Sequence, residues 1–126
     1  LDRYFEFIDV EVGLAMAELE EGDLLLVVSG FGMEPMTLVK RALARVLGEP
    51  GISGTHERAP DGFMLAYGSG VAPGVLPRGS IVDVAPTALY FLGLPVARDM
   101  DGYARTDLFT SAFTSSRPVA YIGTYE

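Results

Sequence analysis

The feature that most restricts the fold is an unbroken apolar run of five residues, Leu24-Leu25-Leu26-Val27-Val28, with turn residues on both sides. The run is too short for a buried helix, and it has no polar position that would mark a solvent-facing side. Strands that are apolar on both faces occur where helices cover both sides of a sheet. We therefore predict an α/β fold in which residues 24–28 form a central strand of a largely parallel sheet with helices on both faces.

The pattern before this run predicts a helix over about residues 3–20, because apolar side chains recur there at helical spacing and Asp2 is a suitable N-cap. Further strands are predicted at Phe63–Tyr67 and Val119–Ile122, which are short apolar segments next to turn residues. Residues 49–62 are rich in Gly, Pro and polar residues and hold the only histidine. This stretch is predicted to be an irregular connecting or functional loop.

Proline and glycine mark two more helices. One is predicted from Glu34 or Pro35 to Leu47, because proline suits the first helical turn and Gly48 suits the position after the last. The other is a short helix, Ala88–Leu92, ended by Gly93, with Asp83 as a candidate cap.

Composition excludes several classes of function. The chain has 126 residues and a net charge of −8, which suits one globular domain and argues against binding to nucleic-acid polymers or an anionic membrane surface. With no cysteine, it has no disulfide framework, thiol nucleophile or cysteine zinc site. No apolar run approaches the roughly 20 residues of a membrane helix, and no signal peptide is recognised. The chain as given is expected to be soluble, and its cellular location is left open.

A binding site is expected near Ser29-Gly30-Phe31-Gly32, because ligands of open α/β sheets gather beyond the carboxyl ends of the strands. Gly-x-Gly after a strand also begins dinucleotide-binding loops, but Pro35 stands where the third glycine belongs. The pattern favours a plain tight turn at this point.

Ser29 is a second candidate, as a nucleophile with His56 as base and Asp61 or Asp83 as the orienting carboxylate. The strand-to-helix elbow motif of such enzymes is incomplete here, because Val27 occupies the position of its first glycine. A serine whose hydroxyl is bonded to the backbone is the favoured interpretation.

The single histidine lies in Gly54-Thr55-His56-Glu57. An imidazole ligates zinc well, but one histidine is not a site. Zinc would also need carboxylates from Glu57, Asp61 or the acidic loop at residues 99–107. That loop lacks the EF-hand pattern for a hard cation. From these residues alone, a solvated histidine and a solvated acidic loop are favoured.

Three stretches of the chain, in this order and separation, carry a resemblance to a known family. They are residues 22–33, 54–62 and 81–102, and the third includes Asp83-Val84-Ala85-Pro86-Thr87 and Met100-Asp101-Gly102. The chain resembles the C-terminal part of the type I phosphodiesterase/nucleotide pyrophosphatase branch of the alkaline phosphatase superfamily. The third stretch is the most specific, because it is similar to the family's Asp-x-x-Pro-Thr helix and closing Met-Asp-Gly turn.

The resemblance implies an alkaline-phosphatase-like fold and two metal ions, usually zinc, beside a Thr or Ser nucleophile. It implies that His56 is a metal ligand and that the family's Ser-Asp-His-Gly motif falls on Ser29-Gly30-Phe31-Gly32. Gly30 then stands in place of a metal-binding Asp, and Phe31 in place of a metal-binding His. Neither side chain can donate a lone pair, so one ion would lose two ligands.

We therefore expect residues 1–126 to be a single domain or the C-terminal fragment of a larger one, related to hydrolases of small phosphate esters. The nucleophile segment of the family has no counterpart in the chain, and no catalytic residue is assigned. A noncatalytic binding or structural module on the same scaffold is the alternative. Homo-oligomers are a further expectation, because a strand that is apolar on both faces would leave an apolar surface to cover.

Overall fold

A computed structural model of the protein describes residues 2–49 and 51–126. These residues form a mixed α/β protein and group into two compact units, residues 2–26 with 66–126 and residues 27–65. Among them, no helix combines the length and the apolarity needed to cross a membrane. The elements are α1 (Asp2–Ala17), β1 (Leu25–Phe31), β2 (Glu34–Pro35), α2 (Leu38–Val46), β3 (Gly54–Thr55), β4 (Asp61–Tyr67), α3 (Val84–Phe91), β5 (Val96–Ala97), α4 (Ser111–Ser116) and β6 (Tyr121–Ile122), with single 3₁₀ turns at Ile81–Asp83 and Thr106–Leu108.

The predicted first helix is confirmed, because α1 (Asp2–Ala17) lies almost wholly within the predicted range of residues 3–20. Asp2, predicted as its N-cap, is the first helical residue, and the residue before it lies outside the described residues. A local turn follows the helix, in which Asp23 accepts a hydrogen bond from the Glu20 amide at 2.9 Å and Gly22 adopts a φ of +96°. Glycine is favoured at such a positive φ. None of the residues of α1 is buried.

The apolar run forms β1, but the strand continues through Phe31 instead of ending at Val28. Its neighbour is β4, which contains the predicted strand Phe63–Tyr67. In the described part of the chain every sheet has two strands. The pair β2–β3 is antiparallel and the pair β5–β6 is parallel. The α/β class is thus confirmed in its coarse form, whereas the larger parallel sheet predicted around β1 is not present among these residues.

The second helix begins later than predicted. Glu34 and Pro35 form β2 and pair with Thr55 and Gly54 of β3, so the helix starts after Thr37, whose hydroxyl accepts a hydrogen bond from Lys40 N. A threonine cap of this kind is strongly favoured at a helix start. Part of the predicted irregular stretch 49–62 is therefore strand, while Pro50 lies outside the described residues.

For α2 and α3 the helix ends were predicted more accurately than the starts, and α3 begins at Val84 rather than Ala88. Gly48 follows α2 with a φ of +83°, and Gly93 follows α3 with a φ of +73°. Both values lie in the left-handed region, which confirms the two predicted glycine terminators. A segment rich in serine and threonine near the C-terminus forms α4. Thr110 is its N-cap, and the Thr110 hydroxyl accepts a hydrogen bond from Phe113 N at 3.3 Å.

Four aromatic side chains form a cluster within residues 66–126. Tyr90, Phe91, Phe109 and Phe113 pack with ring centroids 4.7 to 6.0 Å apart. Such ring pairs contribute about 0.5–1.5 kcal/mol each beyond the area they bury. The hydroxyl of buried Tyr90 donates to the Arg117 carbonyl at 2.8 Å, so its polar end is satisfied. The cluster ties α3 to α4 and to the segment between them.

Asp83 is a buried carboxylate that links three segments of the same unit. One carboxylate oxygen accepts from the amide of Ser80 at 2.8 Å, and the other accepts from the amide of Tyr103 at 2.9 Å. Its own carbonyl accepts from the hydroxyl of buried Thr87 at 2.6 Å. Asp83 occupies the N-cap position of α3, as predicted, but its side chain makes no capping hydrogen bond there and accepts from amides outside that helix instead.

The turn at Met100-Asp101-Gly102 packs directly on the backbone of Val82 and Asp83. A side chain at Gly102 would overlap the Val82 carbonyl and the Asp83 amide, so only glycine allows the two segments to approach this closely. Arg105 completes the junction: its amide donates to Thr87 Oγ1 at 2.9 Å, and its guanidinium forms a bidentate pair with Asp107. Asp83 and Thr87 of the third stretch thus belong to a hydrogen-bonded junction with Tyr103 and Arg105.

These hydrogen bonds hold the pKa of Asp83 below its ordinary value of 3.8, mainly through the Tyr103 amide and then the Ser80 amide. A lowered pKa means that the folded state favours the ionised carboxylate. This stabilisation is complete above the pKa of the unfolded state and is lost as the pH falls through the lowered folded value.

We predict that Asp83→Asn lowers the free energy of unfolding by about 2–3 kcal/mol at pH 7, because it removes the charge of a buried acceptor and turns a donor toward one of the two amides that it now accepts from. The difference from the unchanged protein should begin to shrink as the pH falls through the ordinary aspartate pKa, where the unfolded chain takes up the proton first, and should be smallest below the lowered pKa of folded Asp83. Urea unfolding followed by circular dichroism at several pH values measures both effects. Asp101→Asn, in the exposed part of the adjoining turn, is the matched control and should change stability by less than about 0.5 kcal/mol. An equal loss in both variants would contradict the role given to Asp83.

Candidate functional site

The segment predicted to hold a site, residues 29–32, lies in and just after the end of β1 rather than in a free loop. Its partner is the start of β4, where Gly62 makes the approach possible. A Cβ at Gly62 would overlap the Ser29 carbonyl oxygen and crowd the backbone of Gly30 and Phe31. The amide of Gly32 donates to the Pro60 carbonyl at 2.9 Å and continues the contact. The predicted tight turn is therefore wrong, because pairing with a distant segment extends the strand.

The hydroxyl of Ser29 is not placed to act as a nucleophile. This hydroxyl donates to the main-chain carbonyl of Phe31 at 3.0 Å, two residues further along the same strand. This contact is the structural interpretation that the sequence favoured for a serine at this position. A catalytic serine needs a base that accepts the hydroxyl proton, and in this structure that proton is donated to the backbone.

His56 lies directly after β3 and contacts the side chain of Phe31. The two ring centroids are 4.9 Å apart and the planes are tilted by 37°. Phe31 remains 58% exposed, and His56 is exposed as well, so the pair presents its rings at the surface of residues 27–65. The structure thus brings together two of the residues that the sequence singled out, 25 positions apart.

Charged groups surround the histidine on its own segment. Glu57 forms an ion pair with Lys40 of α2. Lys40, with smaller contributions from Arg58 and His56, lowers the pKa of the Glu57 carboxyl. The amide of Arg58 donates to the Glu34 carboxylate at 3.0 Å, which fixes the start of the turn after His56 to β2. Lys40 was not singled out by the sequence, because only the fold places α2 beside residue 57.

Several predicted metal ligands have other partners or separate positions. Glu57 is engaged by Lys40, and Asp107 is engaged by Arg105. Asp99 and Asp101 are exposed, in the turn region before Gly102. Within residues 2–49 and 51–126, no group of three or more His, Asp or Glu side chains is arranged to hold a metal ion. His56 therefore stays a predicted ligand, and these residues by themselves do not make a complete zinc site.

Comparison of the chain with models of protein families, with curated protein sequences and with solved structures finds no match.

We predict that Gly62→Ala destabilises the segment that carries Phe31 and His56, because the added methyl group would overlap the β1 backbone. Overpacking of this kind costs about 1–3 kcal/mol. Urea unfolding measures the loss, and the chemical shifts of the His56 ring protons report whether the contact with Phe31 has changed. Gly51→Ala is the matched control in the same unit, since a Cβ there meets nothing within 4 Å. Unchanged stability and unchanged His56 shifts in Gly62→Ala would show that the strands are not this close.

Proposed function

We propose that the chain is the C-terminal portion of a metal-dependent phosphodiester or phosphomonoester hydrolase. It resembles the type I phosphodiesterase/nucleotide pyrophosphatase branch of the alkaline phosphatase superfamily, and its metal site is degenerate. Zinc or another divalent ion would be its cofactor, and a small phosphate ester its substrate. The nucleophile and the other ligands would come from the rest of a longer protein.

The observation that carries this proposal is the contact between Phe31 and His56. The resemblance assigns both positions to one metal site, so their side chains should lie side by side although they are distant in sequence. The ring centroids are 4.9 Å apart. This proximity is independent of the sequence pattern on which the resemblance rests, and it supports the alignment of both positions.

A second observation supports the place of the chain in a larger domain with an alkaline-phosphatase-like fold. One side of β4 exposes large apolar side chains at alternate positions. Each is more than half exposed: Phe63, Leu65 and Tyr67. Large contiguous apolar patches are rare on the surfaces of monomeric proteins. Additional strands and helices of a larger sheet would bury these side chains, as the family's doubly covered sheet requires.

The described residues alone do not fit a two-metal centre. His56 offers one imidazole nitrogen, whereas Gly30 and Phe31 provide no donor atoms. No chemical step is therefore assigned to a metal held by these residues. Their part in the proposed enzyme is to present His56 at the end of β1, with β2 and α2 fixing its segment through Glu34 and Lys40.

We predict that Gly30→Asp together with Phe31→His raises the amount of zinc bound by the native-length protein, by up to one ion per chain. The double variant restores a carboxylate and an imidazole beside His56, which are suitable zinc ligands. Elemental analysis after dialysis against zinc measures the stoichiometry.

Two variants control this experiment. Gly30→Ala with Phe31→Leu changes the same positions without adding a donor, and it should leave the stoichiometry unchanged. Adding His56→Ala to the Asp/His variant should remove the gained ion. If the Asp/His variant binds no more zinc than the unchanged protein, the alignment of the site is wrong and the proposal loses its main support.

A noncatalytic module on the same scaffold is the second candidate, and the exposure of Phe31 favours it. A phenylalanine that replaces a metal ligand and is 58% exposed offers an apolar contact where the family holds an ion. For this candidate we expect no hydrolysis of bis(4-nitrophenyl) phosphate by the native-length protein with zinc or manganese. The readout is the release of nitrophenolate. A metal-dependent rate that His56→Ala abolishes would eliminate this candidate and favour the hydrolase.

A further inference from the structure

The turn that carries His56 is tied to an earlier stretch of the chain at both of its ends. Before the histidine, β3 pairs with β2, and the Met36 amide donates to the Ser53 carbonyl at 2.9 Å. After the histidine, the Gly32 amide donates to the Pro60 carbonyl at 2.9 Å. The position of the imidazole therefore depends on what holds the middle of this turn.

The hydrogen bonds that the turn makes within itself are long. The Ala59 amide donates to the His56 carbonyl at 3.4 Å. The Glu57 amide donates to the hydroxyl oxygen of Thr55, also at 3.4 Å. Bonds from an amide to oxygen usually span roughly 2.7–3.2 Å, so these two are weak. The turn needs a partner outside itself to keep one shape.

Glu34 is that partner, and it reaches the chain on both sides of the histidine. Its backbone pairs with Thr55, the residue directly before His56. Its carboxylate accepts a hydrogen bond from the amide of Arg58, two residues after His56, at 3.0 Å. A charged acceptor makes a stronger hydrogen bond than a neutral one. One residue of β2 therefore closes the turn around the histidine.

The contact between the two aromatic rings depends on the same closure. Phe31 lies three positions before Glu34, and its ring centroid is 4.9 Å from that of His56. Because Phe31 and Glu34 belong to one stretch that is bonded to the turn, closing the turn also sets the distance between the rings. The ion pair of Lys40 and Glu57 adds little, since both side chains are exposed.

We propose that Glu34 is a positioning residue: by accepting the Arg58 amide, it holds the imidazole of His56 against Phe31. This inference deepens the proposed function and rests on it for the role of His56, which is a ligand in the hydrolase and part of an apolar contact surface in the second candidate. The hold on the imidazole itself needs neither an ion nor a substrate.

The test is proton NMR of the native-length protein without added metal. The ring protons of His56 are identified as those lost in His56→Gln, and Phe31→Leu gives their positions without an aromatic neighbour. Glu34→Ala should move these protons toward the Phe31→Leu positions, because the turn opens more often. Exchange of the Arg58 amide with solvent should become about fivefold faster, which corresponds to one net hydrogen bond. Glu34→Gln should largely restore both readouts, because its amide oxygen still accepts.

The matched control is Glu49→Ala, which removes an exposed carboxylate from the same compact unit and should leave both readouts unchanged. Far-ultraviolet circular dichroism checks that every variant keeps its secondary structure. Unchanged positions of the His56 ring protons in Glu34→Ala or in Phe31→Leu would overturn the proposal. It would also be overturned if Glu34→Gln behaves like Glu34→Ala. These readouts involve no metal and no phosphate ester, so they are separate from the zinc experiment that tests the alignment of the site.

Discussion

Much of the C-terminal part of this chain depends on one carboxylate, that of Asp83. The carboxylate accepts hydrogen bonds from the amides of Ser80 and Tyr103. Gly102 lets the segment that carries Tyr103 approach the Asp83 backbone closely. Thr87 then links the same residue's carbonyl to the amide of Arg105. A buried acceptor that is lost leaves its donors without a partner, so loss of this carboxylate would disturb all three segments together. The aromatic cluster of α3 and α4 is built on the helix that starts at this junction.

The candidate site depends instead on the close approach of two strands. Gly62 allows the β4 backbone to reach β1, and the extended β1 places Phe31 beside His56. An aromatic ring next to the histidine gives an apolar contact where an acidic or imidazole side chain would give a ligand. In the proposed alignment, Gly30 and Phe31 are the two residues that give this segment an apolar contact in place of metal ligands.

Local patterns predicted much of the fold, and distant pairing explains most of what they missed. The periodicity of α1, the apolar run of β1 and the glycines after α2 and α3 are signals contained within a few residues, and they were read correctly. The start of α2 was wrong because Glu34 and Pro35 pair with Thr55 and Gly54 of a distant strand, which outweighs the helix preference of proline at a first turn. The extension of β1 has the same cause. For the site, His56 and Phe31 could both be named from the sequence, whereas the contact between their rings and the partner Lys40 follow only from the fold.

The burial of Tyr90 gives the chain an internal optical reporter. The chain has six tyrosines and no tryptophan, and the other five tyrosines are each more than half exposed. Tyr90 alone is enclosed, between Phe109 and Phe113, with its hydroxyl held by the Arg117 carbonyl. A ring fixed in an asymmetric apolar environment dominates the near-ultraviolet dichroism of tyrosine. The packing of α3 against α4 is thus visible by spectroscopy without any added label.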